Sequence, residues 1–158
     1  MAQLKAQIDQ SSLRRLLKNI NKYGEHIKKQ VQQEIIYTAG QIRHDAIIAA
    51  PYKTGNLKKT SYVNYKRNLL GAEIGFNAKY ASHVEFGTTA HIIRPKTKKV
   101  LAWGGKNGGK PTNFAKFVRH PGTKPKPFLM PAFERNSKRM KAEILKIVKN
   151  RKKPFRPR

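Results

Sequence analysis

Cysteine is absent from the 158 residues, which excludes disulfides, zinc–thiolate sites and a cysteine nucleophile. Acid is scarce: eight Asp and Glu stand against 35 Lys and Arg, a formal charge of +27. Carboxylate pairs for general acid–base work are therefore poorly supplied. No apolar run approaches the roughly 18 residues of a membrane helix, and Met1–Gln10 lacks the apolar stretch of a signal peptide. Together these absences predict a soluble protein without membrane contact. Hydrophobic residues make up 38%, enough for one small core under a wide polar shell. The length fits a single domain, since domains run to about 100–150 residues.

What is abundant is positive charge, and it is graded along the chain. Residues 1–50 carry net +4, residues 51–100 net +8 and residues 101–158 net +15. A protein this basic calls for an anionic partner or neighbourhood. The final eight residues hold five cations, Arg151, Lys152, Lys153, Arg156 and Arg158, with two prolines. Such a run repels itself and buries nothing, so on its own it is expected to be disordered.

The first half reads as helix. Ile20, Tyr23, Ile27, Val31, Ile35, Ile42 and Ala46, with Ala39 between, follow the three-to-four spacing of one apolar face. A shorter helix is expected over Ser12–Lys22, with Gly24 as a break between the two. The long helix should stop near Ala50, because Pro51 disfavours helix at the residue before it. The period then changes. Pro51–Asn56 reads as a turn. Residues 57–66 form a strand-like run with Tyr62, Val63 and Tyr65, and Ala72, Ile74 and Phe76 alternate on the return. Tyr80–Gly87 reads as a short helical turn leading into an extended Glu85–Thr88. Short strands are expected at His91–Arg94, Lys99–Trp103 and Phe114–Arg119, around a basic Gly-rich loop at 104–113. Pro131 in a first helical turn, then Phe133, Met140, Ile144, Ile147 and Val148, give a C-terminal amphipathic helix. The class is α+β: one antiparallel sheet of four or five strands, with the long and C-terminal helices on one face. The organisation is a helical segment at 1–24, an α+β domain at 25–150 and a basic tail at 151–158.

Motifs for chemistry are weak. Gly104–Lys110 approaches a phosphate-binding loop, but Pro111 stands where that loop needs Ser or Thr. His83-Val-Glu85 matches half of a zinc deaminase signature whose other half needs two cysteines. Glu85 lies between Val84 and Phe86 in a segment that looks buried, and is expected to pair with an Arg or Lys. No catalytic residue, metal ligand or cofactor site is assigned. The exposed cations Lys96, Lys98, Lys99, Lys106 and Lys110, with the tail cations, are the expected contacts to a partner or to DNA phosphates. Lys58, Lys59, Lys66 and Arg67 beside Tyr62 and Tyr65 form another basic patch, without a recognition signature for RNA.

Three segments in order carry a resemblance: Ala49-Ala-Pro-Tyr-Lys-Thr-Gly-Asn-Leu-Lys58, Tyr80-Ala-Ser-His-Val-Glu-Phe-Gly-Thr88 and Pro127-Phe-Leu-Met-Pro-Ala-Phe133. Their order and spacing resemble the tail-completion or neck proteins of tailed bacteriophages, over roughly residues 30–150. The resemblance implies a non-enzymatic virion component, assembled in the host cytoplasm as a homo-oligomeric ring around the DNA channel. It would sit at the head–tail junction, as a neck or tail-terminating ring, between portal-side connector and tail-tube proteins. Non-specific contacts to packaged DNA are part of the same expectation. The motif residues would bear the fold: Pro51, Thr54, Gly55 and Leu57 at the turn, with Gly55 supplying an unusual backbone angle; Tyr80, Glu85, Phe86, Gly87 and Thr88 at a buried corner, with Phe86 in the core and Gly87 at a tight backbone approach; and Pro127, Phe128 and Pro131 docking the last helix. The competing readings are a stand-alone nucleic-acid-binding protein and, third, a nuclease-like enzyme.

If the tail is a docking element, removing residues 151–158 leaves the thermal unfolding midpoint unchanged and impairs particle completion. Normal completion by the truncated chain would remove that role.

Overall fold

A computed structural model describes residues 4–7, 20–104 and 110–150. The expected Ser12–Lys22 helix falls mostly on 8–19, and Lys106 and the tail cations Arg151, Lys152, Lys153, Arg156 and Arg158 also lie outside the described residues.

Helix α1 (Ile20–Ala49) is bent at Gly24, whose backbone is non-helical at φ 81°, ψ 161°. Its face of Ile27, Val31, Ile35, Ala39, Ile42 and Ala46 is buried almost completely. It ends one residue before Ala50, as Pro51 requires. The turn that follows holds Gly55 at φ 75°, a left-handed conformation that a Cβ would strain. The long, weak contact from Asn56 N–H to Thr54 Oγ1 (3.5 Å) leads into a short helix, α2 (Asn56–Lys59), that buries Leu57. That turn of helix occupies the first residues expected in a strand, and the strand β2 (Ser61–Tyr65) starts after it.

β2 returns as β3 (Ala72–Phe76) through a turn in which Leu70 N–H donates to Asn68 Oδ1 at 3.1 Å. β3 is central, flanked by β2 and by β1 (Leu4–Gln7), both antiparallel to it. β1 has no counterpart among the strands expected from sequence, since its alternation is only Leu4 and Ala6. On one face of this sheet Leu4, Ala6, Ala72, Ile74 and Phe76 are buried, with Val63 packed beside them. The opposite face is polar: Glu73 Oε1 takes Tyr62 Oη–H at 3.1 Å and Lys5 Nζ at 3.4 Å.

After β3 come α3 (Ala81–Phe86) and, much later, α4 (Leu129–Lys149). α4 buries Leu129, Ala132, Asn136, Met140, Ile144 and Val148 at the three-to-four spacing of a helix face. α1 and α4 pack on each other in one hydrophobic core with the sheet. Phe76 from the sheet and Phe128 before α4 meet edge to face, with centroids 4.9 Å apart and planes at 85°, a favoured aromatic geometry.

The expected single sheet of four or five strands is corrected. Among the described residues, the sheet that carries the core has three strands. β4 (His91–Ile93) pairs only with β7 (Val118–His120), and β5 (Leu101–Trp103) only with β6 (Asn113–Ala115), as two separate ribbons. The expected strand Phe114–Arg119 is in fact parts of β6 and β7. Short apolar strands predict extended backbone but not which sheet they join, and none of these four has a buried face to place on the core.

Phe128→Ala is expected to destabilise the fold by about 3–5 kcal/mol, the range for losing a buried Phe side chain, measured by urea unfolding. A loss below about 1 kcal/mol would contradict its place in the core.

Candidate interaction surface and its anchor

The second and third motifs meet at one carboxylate. Glu85, at the end of α3, is 1% exposed. Its Oε2 accepts the N–H groups of Phe128 (2.9 Å) and Leu129 (3.0 Å), and its Oε1 that of Met130 (2.8 Å). The first N–H groups of a helix have no partner within the helix, and the N-terminal end is electropositive. A buried carboxylate there satisfies three donors at once through charge-assisted bonds. The expected pairing of Glu85 with Arg or Lys is therefore corrected: its partners are backbone N–H groups. The reason is local. Pro131, in the first turn of α4, has no N–H, and the three donors just before it are all taken by Glu85.

The residues around Glu85 divide between core and surface. Phe128 is buried, Pro127 and Pro131 are exposed, and Tyr80 sits half-exposed just before α3. Phe86 is 63% exposed, which corrects its expected place in the core. The backbone stays helical through Phe86 rather than becoming extended at Glu85. Helical spacing then sends Glu85 inward and its neighbour roughly 100° away, toward solvent. Gly87 turns the chain out of the helix at φ 71°. A Cβ there would run into Thr123 O and come within 2.9 Å of Pro125 N, so the close approach expected at Gly87 is present.

Beyond Gly87 the chain leaves the body and returns at Thr123. Thr88 and Thr123 close the base of this excursion with two reciprocal backbone bonds of 3.0 Å, and their hydroxyls meet at 3.1 Å. Within it the β5–β6 pairing is nested in sequence inside the β4–β7 pairing, so the described residues of 88–123 form a doubled-back β arm. None of its described residues is buried. Isolated two-stranded ribbons are marginal in water, and this arm exposes large apolar side chains as well: Ile92 52%, Trp103 46%, Phe114 63% and Phe117 47%. The arm also carries Arg94, Lys96, Lys98, Lys99, Lys106, Lys110, Lys116 and Arg119 without one acid. Of the expected partner cations, Lys96, Lys98, Lys99 and Lys110 are exposed on it. Sequence reasoning singled out the lysines and passed over Ile92, Arg94, Phe114, Phe117 and Arg119, because it assigned their strands to the main sheet. One signal marks the segment: no acid occurs between Glu85 and Glu134.

A second polar contact ties α1 to α4. Asp45 Oδ2 accepts Asn136 Nδ2 and Arg135 Nη2, each at 2.8 Å. These hydrogen bonds, Asn136 first, hold its carboxyl below the usual carboxylate range. Among the described residues no helix is long and apolar enough to cross a membrane.

Residues 14–87 match the model of the HK97-gp10-like family, described as "Bacteriophage HK97-gp10, putative tail-component". The matched span holds α1 to α3, the first motif and all of the second but Thr88, and ends at Gly87 as the arm begins. The chain is thus similar, over that span, to a phage tail component, in agreement with the motif resemblance. No curated protein and no solved structure matches the chain significantly.

Two variants test the anchor points. Glu85→Ala leaves three N–H groups without partners and is expected to cost about 3–5 kcal/mol in urea unfolding, each buried unpaired donor costing about 1–3 kcal/mol. Recovery of full stability in Glu85→Ala would contradict the cap. Asp45 has a lowered folded pKa, so its contribution is complete above the unfolded value of about 3.9 and is lost as pH falls through the folded value. The stability gap between wild type and Asp45→Asn should therefore be widest near neutrality and close in acid; a gap independent of pH would contradict this.

Proposed function

We propose that this chain is a structural, non-enzymatic subunit that joins or completes a phage tail at the head–tail interface, as a homo-oligomeric ring around the DNA channel. The match of residues 14–87 to a phage tail component supports a tail role and a place in the virion. The observation that carries the assembly role is the arm at 88–123, since a segment with no buried residue among those described and several exposed aromatics is built for contact with other chains. In a ring, each subunit would use a heterologous contact that closes by rotation. A charge of +27 repeated around it would be repulsive unless offset by acidic neighbours, such as connector and tail-tube proteins, or by DNA phosphates. Assembly would take place in the host cytoplasm. The scarcity of acids and the use of Glu85 as a helix cap both weigh toward a role without catalysis.

The cations of the arm favour one second reading, a stand-alone nucleic-acid binder. Such a protein would hold DNA at physiological salt, with a steep salt slope from many phosphate contacts.

The primary reading predicts closed rings of the purified chain by electron microscopy, and completion of tails when it is added to particles assembled without it. A monomer that leaves those particles incomplete would contradict it.

A further inference from the structure

We infer that one face of the β arm, made by Ile92, Arg94, Phe117 and Arg119, docks on an acidic protein surface that carries apolar side chains between its carboxylates. The inference rests on the reading of the chain as a subunit of an assembly and names the partner of its arm.

The face follows from register. In the β4–β7 ribbon His91 pairs with His120, Ile92 with Arg119 and Ile93 with Val118. Directly opposed residues share a face, and faces alternate along each strand. Ile92 and Arg119 therefore stand on one side, and the same alternation, continued one residue past the paired strands, puts Arg94 and Phe117 there too. The Arg94 guanidinium lies 5.9 Å from the Phe117 ring centroid, which confirms their proximity. The other side holds His91, Ile93, Val118 and His120, with the two imidazoles stacked at 5.0 Å. The first side is thus a checkerboard: Ile92 beside Arg119, and Phe117 beside Arg94, all four exposed.

Composition selects the partner's chemistry. Both cations on this face are arginines, Arg119 within β7 and Arg94 directly after β4, whereas the arm's described lysines lie in the connections between strands. A guanidinium presents a planar fork that fits a carboxylate in a bidentate fashion. Arg and aromatic residues are enriched in protein interfaces, where Lys is depleted. Phosphate attraction needs only clustered cations; burying Ile92 and Phe117 against a sugar–phosphate backbone would add little. A second copy of this chain is a poor dock for the face. The acids on its described surface are largely engaged at home: Glu25 with Lys28, Asp45 with Arg135, Glu73 with Lys5, and Glu143 with Lys146.

The test uses the full chain and three labelled probes at physiological salt: an alternating Glu–Leu peptide, a poly-Glu peptide of equal charge and a short duplex DNA. Two double variants are compared, Ile92→Ser with Phe117→Ser, and Arg94→Gln with Arg119→Gln. Because all four side chains are exposed and none belongs to the hydrophobic core, both variants should keep the wild-type unfolding midpoint. The wild type should bind the alternating peptide more tightly than poly-Glu or DNA. Each variant should lose about tenfold or more for that peptide, as truncation of interface anchors does, and the apolar variant should bind DNA as before. Tighter binding of duplex DNA than of the alternating peptide would assign the arm to nucleic acid and overturn the inference. So would failure of the wild type to bind the alternating peptide, or wild-type affinity in both variants. Electron microscopy of the same samples separates the two levels: rings without peptide binding would sink the docking face alone, whereas absence of rings in the wild type would count against the assembly reading.

Discussion

The structure turns on one buried carboxylate. Glu85 lies in the last turn of α3 and caps α4, so a residue in the middle of the chain fixes where the last helix begins. α4 supplies one wall of the core, and Phe128, whose N–H Glu85 holds, reaches Phe76 in the sheet. Losing the cap would release helix, aromatic contact and sheet together. In a chain with so few acids, one spent in the interior is costly unless fully bonded; here both of its oxygens are used by backbone donors.

The same junction separates body from arm. Gly87 turns the chain outward directly after the cap, and Thr88 with Thr123 closes the arm's base. The arm can therefore project without disturbing the core, because the chain that leaves at Thr88 comes back a few residues before the capped helix. A tail component benefits from this division. The core of the body draws nothing from the arm, none of whose described residues is buried. The charge gradient takes on a location in this light: the basic later part of the chain includes the arm, while the body buries its apolar faces between α1, α4 and the three-stranded sheet.

The helices were legible in the sequence because their apolar periodicity is long: Ile27 to Ala46 repeats over five turns, and Met140, Ile144 and Val148 over two. β3 was legible because Ala72, Ile74 and Phe76 alternate cleanly. The break at Gly24 and the positive φ at Gly55 followed from glycine at helix and turn boundaries. The failures share one cause, namely that local pattern does not report tertiary neighbours. Phe86 looks like core by type, yet its helical phase points it outward. Glu85 looks like one half of an ion pair, yet its partners lie more than forty residues away on the backbone. Four short strands look like one sheet, yet their exposed faces leave them as separate ribbons.

The division into a capped, cooperative body and an uncovered arm is tested most directly by amide hydrogen exchange on the isolated subunit. Amides of α1, β3 and α4, including Phe128, Leu129 and Met130, should exchange only through global unfolding. Those of β4 to β7 should exchange through cheaper local opening, orders of magnitude faster. Protection of the arm equal to that of α4 in the isolated subunit would contradict the account.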